Sequence, residues 1–72
     1  MSLQVCIMAP DGVFWNEKVT EVILPTNTGQ IGILTNHTPL ITAIDVGVMS
    51  VRFQNNWMKL ILMGGFALIK NN

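Results

Sequence analysis

Apolar residues recur at every second position along most of the chain, the spacing that puts one face of a β-strand against a core. Leu3, Val5 and Ile7 alternate with Gln4, Cys6 and Met8, and this first strand ends at the turn Ala9-Pro10-Asp11-Gly12. Val13-Phe14-Trp15 makes a short second strand. Lys18 to Leu24 is rich in β-branched residues and stops at Pro25, before a turn at Thr26-Asn27-Thr28-Gly29. Ile31, Ile33 and Leu34 form the next strand, closed by Asn36-His37-Thr38-Pro39. Leu40 to Ile44 follows, then a turn at Asp45-Val46-Gly47. Met49, Val51 and Phe53 next alternate with Val48, Ser50 and Arg52. Gln54-Asn55-Asn56 reads as a hairpin loop, with Met58, Leu60 and Leu62 facing inward on the return strand opposite Trp57 and Lys59.

The longest apolar run, Leu60 to Ile69 between Lys59 and Lys70, has Gly64-Gly65 near its middle. A membrane helix needs about 20 residues, so this run reads as two strands meeting at a bend, where glycine permits positive φ. No window of roughly 11 residues or more keeps a helical period with caps. Short strands with frequent turn signals predict an all-β fold, a small antiparallel β-sandwich or flattened barrel, as one domain over residues 1–72. Lys70-Asn71-Asn72 resembles the opening of another hairpin turn, which predicts a domain whose last strands lie beyond this sequence.

Composition changes the picture in one respect. A chain of 72 residues buries only about 60% of its unfolded surface, and small domains offset this with disulfides, metals or partners. Cys6 is the only cysteine and His37 the only histidine, which leaves partners. Half the residues are hydrophobic and 11% are charged, against about 25% charged in an average soluble domain. Uncovered apolar surface of that kind marks interaction sites. Net charge is zero and Lys18, Arg52, Lys59 and Lys70 are scattered, whereas phosphate-backbone binding needs a basic patch. The first residues lack the features of a secretory or transit segment, and a lone thiol suits a reducing compartment.

The candidates for chemistry are sparse. His37 is the one conceivable general base, but it stands in a turn with no nucleophile or carboxylate nearby, where a histidine more commonly bonds backbone. Cys6 lies among apolar neighbours, where cysteine acts as a small hydrophobe. Asp11 and Asp45 precede glycines, where aspartate stabilises turns, and Glu17 and Glu21 are expected on solvent faces. Gly29-Gln30-Ile31-Gly32 lacks the lysine and the strand-to-helix context of a phosphate loop. Asn36-His37-Thr38 matches a glycosylation triplet only by accident. Trp15 and Trp57 are expected as core or interface anchors. No catalytic, cofactor-binding or metal-binding residue is assigned.

The run Gly29-Gln30-Ile31-Gly32-Ile33-Leu34-Thr35-Asn36-His37-Thr38-Pro39-Leu40, with Asp45-Val46-Gly47-Val48 and Met63-Gly64-Gly65-Phe66 at their observed spacing, resembles the N-terminal β-sandwich of the epsilon subunits of F-type ATP synthases. The plastid and cyanobacterial branch is the most similar, and the opening Leu3 to Pro10 and the Trp15-Asn16 pair agree with it. The likeness covers essentially the whole chain. Thr38 and Gln30 depart from positions where relatives often carry alanine and an acid, and the C-terminal helical hairpin of the family is not present.

The resemblance implies a non-catalytic rotor subunit that docks the gamma subunit to the c-ring and so couples proton flow to ATP synthesis. Its contact with the alpha/beta hexamer is indirect, and its place is peripheral on the stromal side of the chloroplast thylakoid membrane or, alternatively, on the cyanobacterial thylakoid membrane. Carried over by position, the segment Gln30, Ile31 and Gly32 lies toward the c-ring loops, while His37, Thr38 and Leu40 match a stretch used against gamma. It implies no cofactor, nucleic acid or small-molecule substrate. Two other classes stay in view: a biotinyl- or lipoyl-type carrier with Lys59 as the modified residue, and a small barrel for single-stranded nucleic acid, for which Arg52 beside Phe53 is the nearest feature. A hydrolase would need a nucleophile–base pair that the sequence does not offer.

Overall fold

The computed structural model of the chain describes residues 2–12 and 14–71. Six antiparallel strands follow one another: β1 (Leu3–Met8), β2 (Phe14–Val19), β3 (Glu21–Thr26), β4 (Gly29–Leu34), β5 (Leu40–Phe53) and β6 (Asn56–Asn71). They form one sheet in the order β2-β1-β6-β5-β3-β4.

The sheet folds over on itself because β5 and β6 are long and bend together. Before the bend the more buried residues of β5 are Leu40, Thr42 and Ile44; after it they are Gly47, Met49 and Val51. In β6, Leu60 and Leu62 are followed by Ala67 and Ile69. Each strand therefore changes which parity faces inward. Both change at the level of Asp45 and Gly64, so Ile44↔Gly65 and Val46↔Met63 keep one register across the bend. Gly64 and Gly65 make the bend possible with φ of 95° and 116°, values that L side chains rarely adopt.

One layer then holds β2, β1, the second half of β6 and the first half of β5; the other holds the remaining halves of β6 and β5 with β3 and β4. A single core cluster lies between them. Leu3, Val5, Ile7, Val19, Ala67 and Ile69 come from the first layer, and Val22, Leu24, Ile33, Met49 and Val51 from the second. Each such aliphatic side chain contributes about 1.5–3 kcal/mol on burial, and no polar or charged residue is buried among the described residues. The all-β, sandwich-like expectation holds.

Several boundaries differ from the alternation pattern. Lys18 to Leu24 is divided at Thr20, where the backbone turns from β2 to β3 and Thr20 N–H and Oγ1 both donate to the Arg52 carbonyl. Asp45-Val46-Gly47 is a bend inside a continuous strand rather than a chain reversal, and the bend expected at Gly64-Gly65 lies within the single strand β6. Lys70 and Asn71 belong to β6, with Asn71 opposite Leu3, so the turn expected there is not formed by these two residues. Asn72 lies outside the described residues, as does Val13 of the expected second strand. Met58 has the inward parity of Leu60 and Leu62 and stands opposite Val51, but it stays half exposed because β6 is the edge of its layer at that point.

Candidate docking surface

Gln30, Ile31 and Gly32 lie on β4, the outer strand of the second layer. The two-residue loop Asn27-Thr28 joins β3 to β4, with Thr26 opposite Gly29. Thr26 Oγ1 fastens the loop by donating to the Gly29 carbonyl at 2.6 Å and lying 3.1 Å from Thr28 Oγ1. Gln30 is opposite Pro25, and Gly32 is opposite Ile23. Ile31 and Ile33 turn toward the core while Gln30, Gly32 and Leu34 are exposed.

His37 and Thr38 sit beyond the other end of β4, in the segment that crosses to the first layer. Asn36 takes φ 68° to start the crossing, a conformation asparagine tolerates better than most residues. His37 Nδ1 donates to the Thr38 carbonyl at 2.6 Å, and the His37 carbonyl accepts from Asn71 Nδ2 at 2.9 Å. The bond from Asn71 ties the segment to the end of β6. Leu40 opens β5 opposite Ile69 and packs half-buried against the core. The structure therefore divides the six sequence-predicted contact residues between two places. Gln30 to Leu34 alone covers roughly 13 Å of strand at about 3.3 Å per residue, with His37 further on.

The largest feature of the surface is apolar, and the motifs did not single it out. Ile41, Ile61, Met63 and Phe66 are exposed at 73%, 78%, 69% and 62%. On the outside of the first layer, the rungs Phe14–Met8–Phe66–Ala43 and Asn16–Cys6–Leu68–Ile41 run across all four strands. On the outside of the second, Ile61 pairs with Val48 and Met63 with Val46. The signal for this was in the unbroken run Leu60 to Ile69: in a strand every second residue of such a run must point away from the core. Between the layers, on the side bounded by Trp15 and Leu60, an apolar cleft of about 420 Å³ opens over Ile7 and Met49.

The ionisable groups do not assemble. Arg52 is 3.7 Å from Glu21 and lies over the Trp57 ring at 5.9 Å, a half-exposed cluster of modest energy. Asp45 Oδ1 accepts from the Val46 N–H at 2.9 Å, bracing the bend. Gln4 Nε2 donates to Asn16 Oδ1 beside the half-buried Cys6. Lys59 stands inside β6 opposite Ser50, away from the Gln54-Asn55 hairpin tip, unlike the presented lysine of a carrier domain. Among the described residues no three His, Cys, Asp or Glu side chains are grouped to hold a metal ion, and no helix is long and apolar enough to cross a membrane. What this surface offers is apolar area, a strand edge and polar turns, which are the materials of protein–protein contact.

Comparison with known proteins agrees on one family. Residues 2–72 match the family model described as the ATP synthase delta/epsilon chain, β-sandwich domain. Chloroplastic ATP synthase epsilon chains of Tupiella akineta and Chlorella vulgaris are each 64% identical over all 72 residues, and the plastid epsilon chain of Prototheca wickerhamii is 64% identical over the same span. The chain spans about half the length of these relatives, 55% of the first and 54% of the other two.

Proposed function

The chain belongs to the ATP synthase delta/epsilon-chain β-sandwich family, and on that premise we propose that it is the docking domain of a rotor subunit that joins gamma to the c-ring of a chloroplast ATP synthase. It transmits torque as a rigid body and has no reaction of its own. Its place is the stromal side of the thylakoid membrane, peripheral to the bilayer, as part of a longer subunit. The alpha/beta hexamer is reached only through gamma.

The observation that carries this proposal is the apolar surface left on the outside of both layers, centred on Ile41, Phe66, Ile61 and Met63. A free domain with 11% charged residues has little to keep such surface in water, whereas burial against a neighbour removes it at about 25 cal/mol per Å². The separation of Gln30 from His37 supports two different contacts: the Thr26–Gly29 hairpin end with its neighbouring β4 residues Gln30, Ile31 and Gly32 toward the c-ring loops, and His37, Thr38 and Leu40 toward gamma. Both regions are uncharged, so docking does not strip water from ions.

Single cysteines at Gln30 and His37, placed in the full-length subunit of an assembled enzyme, test this arrangement. Proximity cross-linking is expected to join the first to the c-ring and the second to gamma. Loss of both cross-links in a fully assembled complex defeats the proposed orientation.

A further inference from the structure

We infer that Pro25 and Gly47 are positioning residues: their contact sets where the β3–β4 hairpin end stands, and so how the Gln30 region meets its partner. This rests on the docking proposal above and names the residues of the fold that aim that contact.

The hairpin is anchored unevenly. β3 pairs with β4 over all six residues, as far as Thr26 opposite Gly29, but it pairs with β5 only from Glu21 to Ile23, opposite Arg52 to Ser50. Among the described residues, the hairpin from Leu24 to Ile31 therefore has no ladder to β5. Proline has no N–H to give such a ladder. At the inner end of this stretch Leu24 is fully buried and Ile31 packs against the core. Beyond them Asn27, Thr28, Gly29 and Gln30 are all exposed.

Pro25 is nevertheless buried, and its ring lies over Gly47 of β5. A methyl group on Gly47 would stand 2.9 Å from Pro25 Cβ and 3.3 Å from Pro25 Cγ. Carbon atoms in contact normally stay about 3.5–4.0 Å apart, so the proline ring occupies the space of the side chain that position 47 lacks. Backbone freedom does not explain this glycine, because its φ is not positive, unlike those of Gly12, Gly29, Gly64 and Gly65. A glycine inside a strand weakens it and often marks the close approach of a neighbour. Gly32, which also lacks a positive φ, would have nothing within 4 Å of an added methyl. Gly47 alone combines ordinary backbone with an occupied side-chain space. It follows the Asp45 bend, so the contact ties the hairpin to the point where β5 passes from one layer to the other. The contact lies on the β5 side of the hairpin and does not depend on what covers the outer edge of β4.

A size swap tests the assignment. Gly47→Ala adds a methyl where the ring sits, Pro25→Gly removes the ring, and the double variant moves the bulk from one side of the contact to the other. Each is placed in the full-length subunit of an assembled enzyme that carries the single cysteine at Gln30 or at His37. The readout is the ratio of the c-ring cross-link from the first to the gamma cross-link from the second, since a contact that served stability alone would lower both together. Each single variant is expected to lower this ratio about fivefold, the low end of what overpacking or a lost packing contact costs. The double variant is expected to return it to within about twofold of the parent, as coupled neighbours do. A ratio unchanged in either single variant, or two cross-links that fall together in both, overturns the positioning role and leaves the docking site in place. A double variant no better than the singles overturns it too, because the two residues then act apart. Should Gly47→Ala fail to assemble, Pro25→Gly decides by the same ratio. A parent that gives no c-ring cross-link from position 30 overturns the docking proposal itself, and this inference with it.

Discussion

Gly65 lies where β6 passes closest to β1: a methyl group on its Cα would stand 2.1 Å from the Met8 carbonyl oxygen, and its φ is 116°. Gly64, next to it, has φ 95° but meets only the Ile44 carbonyl at 3.7 Å and Pro10 at 3.9 Å. Gly64→Ala therefore adds backbone strain alone, about 1–2 kcal/mol. Gly65→Ala adds a collision between two main chains as well, about 3 kcal/mol or more in all. Urea unfolding of the two variants is expected to show Gly64→Ala folded with a lowered midpoint and Gly65→Ala largely unfolded; equal midpoints would refute the close approach. The sequence already marks this pair as a bend. It does not reveal which glycine is constrained by a neighbour, because that depends on β1 arriving from the opposite end of the chain, where Met8 precedes Gly65 by 57 positions. The backbone bonding of His37 was legible: a turn histidine without a nucleophile beside it bonds backbone, and its Nδ1 does so.

At the level of elements, the Gln54-Asn55 hairpin loop has φ of 51° and 64°. Positive φ at both central residues is the signature of a type I′ turn, which Asn-Gly satisfies with least strain. Replacing Gln54-Asn55 by Asn-Gly is expected to raise stability by about 0.5–1 kcal/mol, despite losing the 3.4 Å bond from Arg52 Nη2 to Asn55 Oδ1. A chemical-denaturation midpoint no higher than that of the parent would show that the loop is not strained. Strand positions were legible where period-two alternation survives, as along β1 and from Val48 to Arg52 in β5. The bends were not, since Asp45-Val46-Gly47 carries the residues of a chain reversal while the structure uses them to bend a strand and change its inward parity. Counting alternate residues through such a bend assigns faces wrongly on one side of it. Met58 keeps the expected inward parity, and the alternation did not reveal that it stays half exposed, because its strand is an edge there.

For the molecule as a whole, the question is why a domain with a well-filled core keeps so much apolar surface outside it. The core residues listed between the two layers account for folding, and the outer residues Ile61 and Phe66, both more than half exposed, add little to it. The two sets should therefore respond to substitution in opposite ways. Leu24→Ala, at a fully buried position, is expected to cost about 2–5 kcal/mol. Ile61→Lys and Phe66→Lys are expected to change stability by less than about 0.5 kcal/mol each, because the side chains they replace already face water. Their effect belongs to association. At high concentration the parent chain should scatter light as a self-associating species, and the double variant should run as a monomer of unchanged melting temperature. In the full-length subunit the same pair should abolish docking to the rotor complex. A double variant that melts earlier than the parent, or that docks as well as it, would mean that these residues serve the fold rather than a partner, and the outer faces would lose their claim to be the interface.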